Sequence, residues 1–238
     1  MMHRYTQLGF SLVEMAVVLA IVALLLGGLL PMLSGQREQT QRTETRQQLA
    51  EIQQALVGFA VINGRLPCPT DTAITDPANV GYGVENPAGC SAAPTQEGYL
   101  PWKTLGVNEV DAWGTKRSAA GNPWSGYWRY RVNRNFANSV SLITLTTNPS
   151  FADALVVQNR NGTTITSSTE NPIAIVFSTG PDLVGNGENA STDFEASGGT
   201  YQSDVQGQLS GGANFDDILI TISRPQVFNR LVAAGKLP

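Results

Sequence analysis

Histidine is all but missing from this chain: of 238 residues only His3 is one, and it stands ahead of a long apolar run rather than in the body of the sequence. A body without imidazole can hold neither a Ser-His-Asp nor a Cys-His pair, and it offers no histidine ligand to a metal. The commonest routes to hydrolysis are thereby closed, and no other nucleophile-base pair or metal-ligand spacing stands in for them. Charge is also sparse, at 14% of residues, and its sign is wrong for general nucleic-acid binding. With Arg4 and Glu14 set aside, 14 basic and 18 acidic residues leave a balance of -4. Cysteine is limited to Cys68 in "LPCPT" and Cys90 in "AGCSA", with 21 residues rich in Pro, Gly, Ala and Asn between them. That spacing beside a membrane-length segment suggests one disulfide in an oxidising compartment; two unrelated buried thiols are the alternative.

What the sequence does have is the run "LGFSLVEMAVVLAIVALLLGGLLP" at 8–31. From Phe10 to Leu30 the only charge is Glu14, and as a helix the segment can cross about 30 Å of hydrocarbon. A charged side chain at the centre of such a span costs roughly 2.5 to 3.5 kcal/mol, and less near an interface, so a lone acid there marks function. A secretory signal peptide is the competing reading. It fits poorly, because the leader is short, basic only at His3 and Arg4, and "LSG" at 33–35 is the nearest imitation of a cleavage site.

Beyond Pro31, "GQREQTQRTETRQQLAEIQQALVGFAVING" is rich in helix formers and has no internal proline. Its first half is polar all round. From Leu49 the apolar positions Leu49, Ile52, Leu56 and Phe59 recur at three and four, the stripe of a helix packing on a globular head. Asn63-Gly64 supplies a stop, with Pro67 soon after, and a bend is expected near Gly27-Gly28 and Pro31. Residues 65–125 read as irregular, with many prolines and glycines. Strand-like runs follow: "YWRYRVN", "SVSLITLTT" from 139, "ALVVQN" from 154, "TTITSS" from 163, "PIAIVFS" from 172 and "DDILITIS" from 216. The tail "PQVFNRLVAAGK" reads as a short helix. The fold class is therefore α+β, an antiparallel sheet packed on the amphipathic half of one long helix.

Four tryptophans crowd into Trp102 to Trp128. Buried anchoring is the preferred reading over exposed stacking on sugars, with Trp113 the expected core anchor. Arg129, Arg131 and Arg134 invite a nucleic-acid reading, since alternation sets Arg129 and Arg131 opposite Trp128 and Tyr130. A solvated strand face explains the same pattern in an acidic head, and nucleic-acid binding is not expected.

The residues "GFSLVEM" resemble the prepilin leader motif of the type IV pilin-like superfamily, which includes type IV pilins and the pseudopilins of type II secretion. The resemblance implies cleavage by a prepilin peptidase after Gly9, methylation of the new amino terminus Phe10, and a role for Glu14 facing the amino-terminal ammonium of a neighbouring subunit. Pro31 falls where family members carry a helix-kinking proline. "LPW" at 100–102, "DAWG" at 111–114 and "YWRYRV" at 127–132 are similar to the segment after the long helix in pseudopilins, whose commoner form has proline where Ala112 stands. The head is larger than that of a typical major pseudopilin and leans toward a minor subunit.

The implied organisation is a leader at 1–9, a transmembrane and assembly helix at 10–31, its continuation at 32–64, and a periplasmic head at 65–238. Arg37, Arg42 and Arg46 outnumber Arg4, opposite to a simple positive-inside count. The disulfide reading and the resemblance override that count and place the head outside the cytoplasm. The implied partners are other pilin or pseudopilin subunits, the prepilin peptidase, an inner-membrane assembly platform, and the lipid bilayer before assembly. The implied function is structural, in the inner membrane first and then in a filament. The alternatives are a tip adhesin and a signal-anchored periplasmic enzyme or solute-binding domain. No cofactor is required. Because major pseudopilins bind calcium in a carboxyl-terminal loop, Asp182, Asn186, Glu188 and Asp216, with Asp217 beside it, are calcium candidates. The EF-hand spacing is missing, however, and a polar turn explains the same residues.

Overall fold

The computed structural model describes residues 11–90, 97–167, 171–190, 199–208 and 214–237, and for 26–34 the backbone only. Two compact units divide the chain, Met1–Gln41 and Arg42–Pro238. One helix, α1 (Leu12–Asn63), contributes to both. In the first unit its side chains from Leu12 to Leu25 are exposed. Its helical assignment continues through Pro31, whose side chain lies outside the described residues.

In the second unit α1 buries Arg42, Thr45, Leu49, Ile52, Leu56 and Ala60. Steps of three and four between these positions make one stripe, so the apolar periodicity holds from Leu49. It begins two turns earlier than the apolar pattern indicates: the Thr45 hydroxyl accepts from the Ala112 N–H at 3.4 Å, and the Arg42 guanidinium lies 5.8 Å from the centre of the Trp113 ring. The helix stops where Gly64 takes φ +69°, a left-handed conformation that glycine adopts without steric cost, and its N–H closes on the Ala60 carbonyl at 2.8 Å.

The remaining strands and α-helices among the described residues are β1 (Gly98–Tyr99), α2 (Trp102–Leu105), β2 (Arg129–Val132), α3 (Arg134–Ala137), β3 (Leu155–Gln158), β4 (Ala174–Ser178), β5 (Gly199–Gln202), β6 (Gly207–Gln208), β7 (Asn214–Phe215), β8 (Ile218–Ile222) and α4 (Arg224–Ala233). The principal sheet is antiparallel and four-stranded, in the order β1-β2-β4-β8. Alternation along each strand sorts its side chains between two cores. Tyr130, Val132, Ala174, Val176 and Ile222 pack with Leu49, Ile52 and Leu56 of α1 and with Val227 and Leu231 of α4. On the opposite face Ile175 and Phe177 pack with Leu155, Val157 and Tyr201 of a small sheet, β3-β5. That pair is parallel, with Leu155 opposite Gly199, a second layer that the strand pattern did not indicate.

Several expectations are corrected. The run from 139 is not a strand: the Asn138 carboxamide oxygen accepts from the N–H groups of Val140 and Ser141, and the Thr147 hydroxyl accepts from the Thr144 N–H. Side chains thus take backbone groups that a ladder would need, and Val140 is left exposed. Among its described residues the run from 163 supplies a single bridge, Thr164 to Gln158. Trp113 is only half-buried; the tryptophan wholly inside the principal core is Trp128. The face carrying Arg129 and Arg131 is not solvated, because the β3-β5 layer covers it and Arg131 is 0% exposed.

Cys68 and Cys90 form a disulfide. The loop it closes is also held at its base by Arg65, whose guanidinium donates two bonds to Glu85 at 2.9 Å each, while Glu85 accepts from the Cys68 N–H at 3.3 Å. Closing a loop with a sequence separation of 22 contributes about 3 kcal/mol in the chain-entropy model. Replacing both cysteines by alanine is predicted to lower the unfolding free energy by roughly that amount, read from denaturant titration beside the oxidised parent.

Candidate functional site

At the start of α1 the sequence "SLVE" folds into a capping box. The Glu14 carboxylate accepts from the Ser11 N–H at 3.0 Å, and the Ser11 hydroxyl accepts from the Glu14 N–H at 3.2 Å. Two N–H groups that the first helical turn leaves without intrahelical partners are satisfied reciprocally. A negative side chain here also opposes the positive end of the helix dipole. Ser11 was missed in the sequence, although a serine three residues ahead of a glutamate before an apolar run is a recognised helix start. Gly9 and Phe10 lie outside the described residues.

From Leu12 to Leu25, Glu14 apart, the surface of α1 is apolar on every side. Val13, Met15, Val17, Val18, Leu19, Ile21, Val22, Leu24 and Leu25 are all exposed. Among the described residues no helix is long and apolar enough to cross a membrane, but side chains are described only as far as residue 25 of this run. An exposed apolar surface of this extent marks an interaction site.

Polar chemistry in the head is largely internal. Glu97 forms an ion pair with Arg129 and accepts from the Tyr201 hydroxyl at 2.6 Å, between the principal sheet and the β3-β5 layer. Burial pushes the Glu97 carboxyl above its ordinary range, against the pull of Arg129. With Arg131 also inside and Arg134 half-buried, the three arginines do not present one basic strand face to a nucleic acid. Asp111 of "DAWG" accepts from the N–H groups of Trp113 and Gly114 and from the Ser178 hydroxyl at 2.5 Å, so this motif ties an irregular segment to the end of β4.

Three of the four calcium candidates come together. The Asn186 amide donates to Asp182 at 3.1 Å, and its carbonyl oxygen accepts from the Asp216 N–H at 2.9 Å. Glu188 does not join them: its side chain is exposed and its backbone N–H donates to Gln202. The hub is Asp217, which accepts from the Asn186 N–H and from the Asn189 amide at 2.9 Å each. Among the described residues no group of three or more His, Cys, Asp or Glu side chains is placed to hold a metal ion. Donors within the protein fasten this loop to the start of β8.

Burial raises the Asp217 carboxyl to about 7, outweighing its donors, with Asp216 and Asp182 adding to the rise. A carboxyl raised in the folded state binds its proton more tightly there than in the unfolded chain, so this group's stabilisation is full at low pH and is lost as pH rises through about 7. Glu97 and Asp111, also raised by burial, act with the same sign. Asp217→Asn is predicted to shrink the fall in melting temperature between about pH 5 and about pH 8, measured by thermal denaturation beside the parent.

Comparison with known proteins finds one match: residues 4–30 fit the family model of the prokaryotic N-terminal methylation motif. No curated protein and no solved structure matches the chain. The matched residues contain Ser11 and Glu14 and most of the exposed apolar surface, so the segment singled out by its geometry is the one carrying the motif.

Proposed function

We propose that this chain is a structural subunit, of the minor kind, of a type IV pilus or a type II secretion pseudopilus. The observation that carries the reading is that the methylation motif at 4–30 overlaps an apolar helix segment whose described side chains, Leu12 to Leu25, are exposed. The motif supports the type IV pilin-like family and a processed subunit, and the α+β head accords with a pilin-like fold.

In this proposal the prepilin peptidase cuts after Gly9, Phe10 becomes the methylated amino terminus, and residues 10–31 hold the chain in the bacterial inner membrane with the head in the periplasm. Extraction from lipid exposes the apolar surface unless neighbours cover it, so bundled helices in a filament core are its destination. Head-to-tail contacts that do not close then propagate a fibre from related subunits. Pro31 loosens the helix between the two environments.

The capping box gives Glu14 a definite part. Before assembly its carboxylate is engaged locally by the Ser11 N–H. A neighbour's amino-terminal ammonium offers a stronger, charge-assisted partner in a medium of low dielectric, where a misplaced acid is heavily penalised. Glu14 therefore selects correct docking and axial register, and the cut at Gly9 creates the ammonium that it selects.

Two substitutions test this in cells. Glu14→Ala is predicted to leave cleavage intact and to reduce incorporation into filaments about tenfold or more, by immunoblot of sheared filaments. Incorporation at the parental level would contradict the role. Gly9→Val is predicted to block processing and assembly together; an uncut chain that still assembled would break the link between them.

A further inference from the structure

Five large apolar residues fall between Ser139 and Phe151, and of these only Ile143 turns inward. Val140 is 90% exposed, Leu142 53%, Leu145 49% and Phe151 96%. The backbone that carries them is nevertheless fixed. The Asn133 carboxamide oxygen accepts from the Ser150 N–H, the Asn135 amide donates to the Asn148 carbonyl, and the Ile143 N–H donates to the Gly64 carbonyl at the end of α1, all at 2.9 Å. Apolar side chains displayed together from a pinned scaffold mark a contact surface.

Leu142 and Phe151 flank a hollow of about 680 Å³. Apart from these two and Pro149, the described residues that line it are Arg134 and a set of serines, threonines and asparagines, with no carboxylate among them. The Arg134 guanidinium has no hydrogen-bond or ion-pair partner among the described residues. Asp153, which accepts from the Arg134 backbone N–H at 3.3 Å, is wholly buried and does not line the hollow. The Asn138 carboxamide oxygen is taken by the N–H groups of Val140 and Ser141, which leaves its amide nitrogen as a further donor. A second guanidinium, that of Arg224, donates to the Leu145 carbonyl at 3.0 Å and so sits against the same loop. On a chain of net charge -4 this hollow is locally cationic and rich in donors, and its natural occupant is an anion.

The order of polarity narrows the choice. A protein contact has an apolar centre and a polar rim, whereas here a polar, cationic centre is edged by apolar side chains in solvent. A phospholipid surface has the matching order, with phosphate oxygens for the arginine and the headgroup–acyl boundary for the rim. Guanidinium takes phosphate through two parallel N–H bonds, and a headgroup with its own cation would set that cation beside Arg134 and Arg224. We propose that this loop docks the head on a membrane surface rich in anionic phospholipid, with a headgroup phosphate on Arg134 and with Val140, Leu142, Leu145 and Phe151 entering the acyl boundary. Docking of this kind uses the head alone and is separable from filament assembly.

The test uses the full chain, with α1 held in nanodiscs of phosphatidylcholine and vesicles added from outside. Both native cysteines are joined in the disulfide, so Val140→Cys carries a single environment-sensitive nitrobenzoxadiazole label at the rim. Vesicles of phosphatidylcholine and phosphatidylglycerol in equal parts are expected to raise and blue-shift its emission saturably, and vesicles of phosphatidylcholine alone to bind at least about fivefold more weakly. Arg134→Gln is expected to weaken binding to the mixed vesicles about fivefold and to leave the weaker binding to phosphatidylcholine unchanged. Phe151→Ser, at an exposed position, is expected to weaken both about tenfold. The melting temperature of each variant stays near the parent's. No response to mixed vesicles, an equal response to phosphatidylcholine, or binding undiminished in Arg134→Gln would overturn the proposal. So would a response, in place of that to vesicles, to glycerol 3-phosphate, to a single-stranded oligonucleotide or to an unlabelled copy of the chain.

Discussion

Apolar helix surface without cover is the constraint on which the rest of this molecule depends. From Leu12 to Leu25 the side chains of α1 stand exposed, and each buried square ångström of such surface is worth about 25 cal/mol. Lipid and neighbouring helices can both supply the cover, and in the proposed filament the difference between them is carried by a single polar group. Glu14 accepts from the Ser11 N–H within its own helical turn, which makes the carboxylate tolerable at the edge of an apolar medium without neutralising it. In the proposed filament the same carboxylate takes a cationic partner. The strength of that partnership comes from the low dielectric, which also makes the wrong docking costly.

The head follows a different logic, in which charge is turned inward. Between the principal sheet and the β3-β5 layer, Glu97 and Arg129 pair and Arg131 is fully buried. Apolar residues in the same places would stabilise as well or better, since buried ion pairs repay their desolvation only in good geometry. The Tyr201 hydroxyl of β5 donates to the Glu97 of that pair, and so helps fix how the second layer sits on the first. The loop after β4 is held likewise, by Asp217 and two asparagines rather than by apolar packing. Both devices fix one defined arrangement of the head rather than adding to its stability.

How much of this was legible in the sequence depended on whether the determining contacts were local. Helix α1, its stop at Gly64, β2, β4, β8 and the tail helix all follow from periodicity and punctuation read within a dozen residues. The Cys68–Cys90 bond followed from spacing and compartment. What failed was non-local. The burial of Arg131 depends on a layer in which β3, a run the strand pattern did mark, pairs in parallel with β5, which it did not. The run at 139–147 has strand residues but yields to Asn138 and Thr147, whose side chains capture the backbone first. Trp128 rather than Trp113 enters the principal core because it lies directly before β2, on the face of Tyr130, which the crowding of tryptophans could not show. Around Glu14 the acid was conspicuous, whereas its partner Ser11 was a small polar residue easily read as part of the run.

The most direct measurement is mass spectrometry of the amino terminus of the native protein. A chain beginning at Phe10 and carrying one added methyl group is the predicted result, because only a freed and modified amine supplies the charge that Glu14 is proposed to meet. A mature polypeptide still intact from Met1 would contradict the account.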